Sequence, residues 1–171
     1  MNIHVIPMDS NFRIINFSEE HAQAFYELNK NWIQQYFELV PEDIRILKNP
    51  TSEIISPGGF IKVALNISGQ VVGVCAMKKL SGRPFDFELS KMAVHDQFQG
   101  KGIGKNLIQS CIDEALNRKG QQIYLESNTA LKPAIFLYKK MGFEVIEGKG
   151  SPYVRVDIYM KLDLLKIERN V

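Results

Sequence analysis

The chain has 171 residues, 45% hydrophobic and 23% charged, a balance that fits one globular domain over residues 1–171 and excludes coiled-coil, collagen-like and disordered chains. Its 21 basic and 19 acidic side chains leave a net charge of +2, too even to argue for a nucleic acid or an anionic membrane as partner. Cys75 and Cys111 are too few for a disulfide framework, and His4, His21 and His95 have no metal-ligand spacing, so no metal is expected.

Met1 to Asp9 has neither the basic flank nor the apolar run of a signal peptide. The longest apolar run, Val71 to Met77, is strand length, far short of a membrane helix. The expected setting is therefore cytoplasmic. Phe12 to Phe17 reads as a strand, and Ser18 as the N-cap of a helix carrying Ala22, Phe25, Leu28 and Trp32 at helical spacing. A second short helix is expected over Trp32 to Leu39, stopping at Pro41, followed by a loop from Lys48 to Gly59. Gly59 to Asn66 and Gln70 to Lys79 form a hairpin with Ser68 and Gly69 at the turn, and Asp86 to His95 is a third strand. Gly104 to Lys119 is a helix whose stripe is Leu107, Ile108, Cys111, Ile112, Ala115 and Leu116, with Gly120 as its stop. Ile123 to Glu126 is a strand. Leu131 to Met141 is a helix with Pro133 in its first turn and Gly142 at its end. Phe143 to Glu147 is a strand, and Val154 to Leu162 alternates strictly between apolar and polar. The order β-α-α-β-β-β-α-β-α-β-β implies an α/β fold around a mixed sheet.

The chemistry concentrates where the third strand meets the long helix, at Met92-Ala93-Val94-His95-Asp96-Gln97-Phe98-Gln99-Gly100-Lys101-Gly102-Ile103-Gly104-Lys105. Glycines at 100, 102 and 104 let backbone N–H groups approach a ligand closely. The helix start adds free N–H groups and the positive end of its dipole, which together favour a phosphate. Lys101 and Lys105 add charge. A Walker loop fails, because Asn106 follows Gly104-Lys105 and position 99 is Gln. A dinucleotide fingerprint fails because Lys105 stands at its third glycine. A plain nucleotide-phosphate binder is disfavoured with them.

What remains, Gln99, Gly102 and Gly104 as Q-x-x-G-x-G, resembles the coenzyme A pyrophosphate loop of the GNAT superfamily of N-acetyltransferases. The resemblance continues through Glu126-Ser127-Asn128-Thr129 and Leu137-Tyr138-Lys139-Lys140-Met141-Gly142-Phe143, similar to the family's strand, Asn and L-Y-x-K-x-G-F helix. Phe87 to Val94 looks like its central strand, so the likeness covers about residues 86 to 147.

The resemblance implies a single-domain GNAT fold that uses acetyl-CoA to acetylate a primary amine by direct attack. It implies that two parallel strands splay apart around the pantetheine arm. Met92, Ala93 and Val94 would then offer backbone groups to the arm, with the Met92 N–H on the thioester oxygen. Gln99, Gly100, Lys101, Gly102, Ile103, Gly104 and Lys105 would wrap the pyrophosphate. Asn128 would bind the arm or a water, a role compatible with capping a helix. Tyr138 matches the family's general acid: a phenol with pKa ~10 can protonate a thiolate whose thiol has pKa ~8.5. The alternative is a core tyrosine beside Leu131, Ala134, Ile135 and Met141. Glu88, four residues before Met92 and expected on the same sheet face, matches a family base; otherwise it is a strand residue or an acceptor anchor. Lys91 is expected to point the other way as a surface lysine, and His95 to be a polar strand end. Cys75 and Cys111 read as core. Trp32, Tyr36 and Phe37 are packing residues or an aromatic wall for the acceptor.

The acceptor can be a small molecule or a protein amine, and Val154 to Leu162 offers a strand on which two copies could pair as a homodimer. The main alternative is a non-catalytic acyl-CoA sensor that keeps the loop without transfer.

Overall fold

The computed structural model describes residues 11–81, 85–148 and 150–168, so the reading of Met1 to Asp9 lies outside it. Strands β1 (Phe12–Asn16), β2 (Phe60–Asn66), β3 (Val71–Lys79), β4 (Phe87–Val94), β5 (Gln122–Ser127), β6 (Glu144–Ile146) and β7 (Ile158–Asp163) form one sheet. Helices α1 (Ala22–Tyr36), α2 (Pro41–Lys48), α3 (Ile103–Asn117), α4 (Lys132–Lys140) and α5 (Leu164–Glu168) flank it. The sheet order is β1-β2-β3-β4-β5-β7-β6. All pairs are antiparallel except β4 with β5, so the sheet is mixed.

Two apolar layers cover the two faces of the β1–β4 half. One joins Phe25 and Ile33 of α1 and Ile46 and Leu47 of α2 to Ile61, Val63, Val74 and Ala93. The other joins the α3 stripe of Leu107, Ile108, Cys111, Ile112 and Ala115 to Cys75, Met77, Phe87 and Leu89. Each fully buried Leu, Ile or Phe contributes about 1.5–3 kcal/mol relative to exposure. Gly73 lets α3 come close to the sheet: a Cβ there would stand 2.9 Å from Ile103 Cγ2 and 3.0 Å from Leu107 Cδ1.

The element order follows the sequence reading as far as β7, with differences in detail. The helix expected over Trp32 to Leu39 does not exist separately. α1 runs through Trp32 to Tyr36 without a break, and Pro41 opens α2 rather than closing a helix. A proline lacks the N–H that the first turn leaves unpaired, so it starts a helix as readily as it stops one. The loop from Lys48 to Gly59 contains a π-helical turn over Thr51–Ile55. The left-handed residue ending α3 is Lys119 (φ 59°), not Gly120. Gly120 N–H instead donates to Ala115 O at 2.8 Å and Lys119 N–H to Leu116 O at 2.8 Å, a Schellman closure. Gly142 (φ 97°) closes α4 in the same way, donating to Lys139 O. Finally, Val154 to Asp157 is not strand; β7 begins at Ile158, and α5 follows it. β7 is paired on both sides, by β5 and β6, so it is no free strand for a second copy.

Two irregularities shape the centre. β4 and β5 share only the register pairs Phe87↔Ile123 and Glu88↔Tyr124, then part. In addition, β4 bulges against β3. Ser90 pairs with Ala76 and Ala93 with Val74, leaving Lys91 and Met92 opposite the single residue Cys75. Lys91 sits there at φ 46°, a left-handed conformation uncommon for a lysine.

Candidate active site

Where β4 and β5 separate, a cleft of about 500 Å³ opens, walled by Leu89 to Val94, Glu126 to Asn128, the start of α3 and Tyr138. Its wall also includes Trp32, Tyr36 and Phe37 from the end of α1, with the Trp32 and Tyr36 rings 5.5 Å apart. The sequence reading left packing and an acceptor wall both open for these aromatics, and they stand at the cleft.

The glycine-rich loop turns from β4 into α3 through Gly100 (φ 73°) and Gly102 (φ 81°). Gly102 is the N-cap of α3, so the N–H groups of Ile103, Gly104 and Lys105 have no helical acceptor. A Cβ on Gly104 would meet only ordinary contacts, Leu137 Cδ2 at 3.6 Å and Val94 Cγ2 at 3.9 Å, so glycine here keeps space open at the cleft. Lys101 and Lys105 are exposed beside it, Lys101 over the Phe98 ring. Gln99 braces the loop: its Nε2 donates to Val94 O at 3.1 Å and to Asp96 Oδ1 at 3.2 Å. These residues fit a pyrophosphate, with backbone donors at a helix start and cations alongside.

Asn128 lines the cleft, but its side chain is engaged. Nδ2 donates to Arg155 O at 2.6 Å, and Oδ1 accepts from the Ala130 N–H at 2.8 Å. It fixes the turn after β5 rather than capping α4, whose N-cap is Leu131. Tyr138 is buried against Phe143 yet borders the cleft. Among the described residues none hydrogen-bonds its hydroxyl. Burial, with the nearby Cys75, pushes its phenol well above the ordinary value, so it stays protonated at neutral pH. The core reading of Tyr138 is thus met, and its place at the cleft leaves the acid reading open to the proposal below.

The bulge corrects two expectations. It shifts the alternation of β4, so Met92 and Val94 pack with the α3 layer while Ala93 lies in the α1/α2 layer. Glu88, the register partner of Lys78, is on the Ser90 and Ala93 face, not the Met92 face. Lys91 is no surface lysine. Its side chain is 8% exposed, and its Nζ donates to Asp43 Oδ1 at 2.8 Å and to Tyr153 Oη at 3.3 Å.

Asp43, on α2, was not singled out by the sequence and is wholly buried. Arg155 grips it with both arms, Nη1 to Oδ2 at 2.8 Å and Nη2 to Oδ1 at 2.7 Å, and the Val40 N–H adds a fourth donor at 3.2 Å. Burial alone would raise its carboxyl, but the Arg155 hydrogen bonds and the Lys91 charge outweigh that and hold it below the usual value. Lys91 is shifted down, chiefly by burial. Arg155 lies 4.5 Å from the Tyr153 ring centre and 5.8 Å from that of Phe37. No spacing rule could have joined residues 43, 91 and 155. An acid in the first turn after a proline is ordinary helix chemistry, and Arg155 reads as the polar face of a strand.

Cys75 and Cys111 are buried and free. The hydrogen bond with Cys111, and burial, push the Cys75 thiol up, which suits core residues and not a nucleophile. His95 is exposed at the end of β4, its ring accepting from the Gln97 N–H.

Comparison with known proteins agrees with this architecture. The sequence model of the acetyltransferase (GNAT) family matches residues 16–143. The chain belongs to that family. It is 34% identical over 106 residues to N-alpha-acetyltransferase RimI of Mycobacterium tuberculosis, a match covering 61% of this chain and 63% of that protein. It is 33% identical over 96 residues to the uncharacterized N-acetyltransferase YjgM of Escherichia coli, covering 56% of this chain and 58% of that one. Less than two thirds of either relative is thus spanned. Among solved structures, a GNAT acetyltransferase from Staphylococcus aureus superposes with a TM-score of 0.80 at 20% identity, covering 90% of this chain and 99% of its own. A phosphinothricin acetyltransferase from Sinorhizobium meliloti, solved in complex with acetyl-CoA, gives 0.73 at 19% identity, covering 90% and 88%. Among the described residues no helix is long and apolar enough to cross a membrane.

Proposed function

We propose that this protein is an N-acetyltransferase that moves the acetyl group of acetyl-CoA directly to a primary amine. The observation that carries the reading is the gap between β4 and β5, with the α3 N-terminus at one end and a protonated, buried Tyr138 on its wall. Acetyl-CoA brings an activated thioester. The free N–H groups at Ile103, Gly104 and Lys105 hold its pyrophosphate, helped by Lys101 and by the loop at Gly100 and Gly102 that Gln99 braces. The backbone of Met92, Ala93 and Val94 holds the arm, and the Met92 N–H faces the thioester oxygen. Asn128 supports the arm through the turn it fixes.

The amine nitrogen attacks the carbonyl carbon, the C–N bond forms and the C–S bond breaks. The proton lost by the amine goes to Glu88, directly or through water, and the departing thiolate takes the Tyr138 proton. Glu88 stands in the cleft wall on the face of β4 that carries Ser90 and Ala93. Direct transfer needs no acyl-enzyme, in keeping with the buried cysteines. The free thiols also suit a reducing, cytoplasmic setting.

Calorimetry with acetyl-CoA and thiol release over a broad amine panel, with products identified by mass spectrometry, tests the proposal. Acetyl-CoA binding with amine-dependent thiol release is expected. Binding without release for any amine would leave an acyl-CoA sensor instead. If Glu88 is the base, Glu88→Gln loses most activity at neutral pH, and high pH restores part of it by supplying neutral amine. A Gln variant with unchanged rate and pH profile would show that the proton leaves by another route.

A further inference from the structure

We propose that the acceptor amine carries a carboxylate, as an α-amino acid does, and that Lys91 and Arg155 bind it. The inference rests on the acetyltransferase reading above, because it names the acceptor of the same cleft. It begins with a count of charges and donors. Two cations, Lys91 and Arg155, share one anion, Asp43, and leave the cluster at +1. Asp43 is saturated: its two oxygens receive Lys91 Nζ, both arms of Arg155 and the Val40 N–H. The cations are not. Arg155 has five N–H donors and spends two on Asp43; Lys91 has three and spends one on Asp43 and one on Tyr153 Oη. Both residues line the cleft.

The surplus charge is poorly served by water. The Lys91 side chain is 8% exposed and that of Arg155 19%, with the Phe37 and Tyr153 rings against the guanidinium. Other carboxylates nearby are already engaged: Glu126, in the wall, accepts from the hydroxyls of Tyr124 and Ser151, and Glu42, beside Asp43 on α2, is held by Arg45 while also feeling the Lys91 charge. Lys78 adds a further cation felt at Lys91. A buried cluster of this kind favours an incoming anion that takes up the unused donors, and a guanidinium edge beside an ammonium suits the two oxygens of a carboxylate.

Coenzyme A's own phosphates are not that anion. Their donors lie at the start of α3, whereas Asp43, on α2, draws Lys91 to the α1/α2 side of the sheet. The cleft of about 500 Å³ must also admit the thioester, which keeps the acceptor small.

The test uses the whole protein with acetyl-CoA and matched acceptors. They are L-phenylalanine, L-phenylalaninamide and phenethylamine, and L-methionine, L-methioninamide and 3-(methylthio)propylamine. Acetylated product is quantified by mass spectrometry. The carboxylate member of at least one set is expected to exceed its amide and its decarboxylated amine by at least about tenfold in kcat/KM, the size of a charge-assisted contact. Arg155→Met should erase that preference by raising KM for the acid while leaving KM for acetyl-CoA in place. Because Arg155→Met strips Asp43 of a partner, the paired variant Asp43→Asn/Arg155→Gln keeps a neutral hydrogen-bonded couple and should lose the preference too. Amides or decarboxylated amines used as well as the acids, or no acid acetylated, would overturn the inference. The acetyltransferase reading fails separately, by absence of acetyl-CoA binding in calorimetry.

Discussion

At the scale of single residues, Tyr138 and Asp43 are buried for different ends. Burial keeps Tyr138 protonated at neutral pH, the state that the proposed general acid needs before transfer. Tyr138→Phe keeps the ring in its contacts with the α3 layer and removes only the hydroxyl. A loss of about 10²-fold or more in kcat is expected, with little change in the affinity for acetyl-CoA by calorimetry. A Phe variant with full kcat under rate-limiting chemistry would make Tyr138 a packing residue alone. Asp43 is the anion that two cations depend on. Asp43→Asn leaves Lys91 and Arg155 buried together without a countercharge, and a loss of about 3–5 kcal/mol is expected in urea unfolding. The sign of its pH dependence follows from the direction of its shift. The folded carboxyl is held below its unfolded value of about 3.9, so its stabilisation is present above that value and fades as pH falls through the folded one. The wild type should therefore lose stability below about pH 4 more steeply than the Asn variant. Parallel acid limbs would contradict the assignment.

At the scale of elements, the loop before α3 and strand β4 carry most of the site, and they differed in how much the sequence disclosed. The loop was legible because glycine spacing is itself the physical requirement. Gly102 holds φ 81°, which costs an L-residue roughly 1–2 kcal/mol, and its backbone caps the helix. Gly102→Glu adds that strain and an anion where phosphate is expected. Calorimetry should show acetyl-CoA binding lost while the unfolding transition stays cooperative; unchanged affinity would misplace the pyrophosphate. α3 and α4 were legible from apolar periodicity and Pro133. β4 was legible as a strand but not in its facing. Alternation presumes an unbroken ladder, and nothing in Ser90-Lys91-Met92 announces a bulge, so alternation puts Glu88 with Met92 and opposite Lys91, whereas Glu88 and Lys91 share the α1/α2 side. The same limit hid the end of α1. Trp32 to Tyr36 keeps helical spacing, but Pro41 gives the same signal for a stop and a start. Val154 to Asp157 alternates like a strand yet turns, and Arg155 within that turn reaches Asp43, 112 residues away in sequence.

At the scale of the whole molecule, Asp43 ties three distant stretches of chain together behind the cleft-lining Lys91 and Arg155: α2, the bulge of β4, and the segment before β7. The two parts of the sheet, β1 to β4 and β5 to β7, are joined through only two register pairs. Parting there creates a pair of internal edges, β4 beyond Glu88 and β5 beyond Tyr124, whose ladder toward each other is never closed. An exposed edge of this kind is a template for unwanted pairing. Here it faces the cleft, which offers those edge groups to an extended molecule with amide groups of its own. The pantetheine arm is such a molecule, and its binding would complete the missing ladder from outside the chain. Hydrogen exchange gives the corresponding readout: amides of Leu89 to Val94 and Leu125 to Ser127 should gain protection when acetyl-CoA is added, while those of β2, already paired on both sides, stay as they are. Protection spread evenly over the sheet would mean that the ligand stabilises the fold without acting as its absent strand.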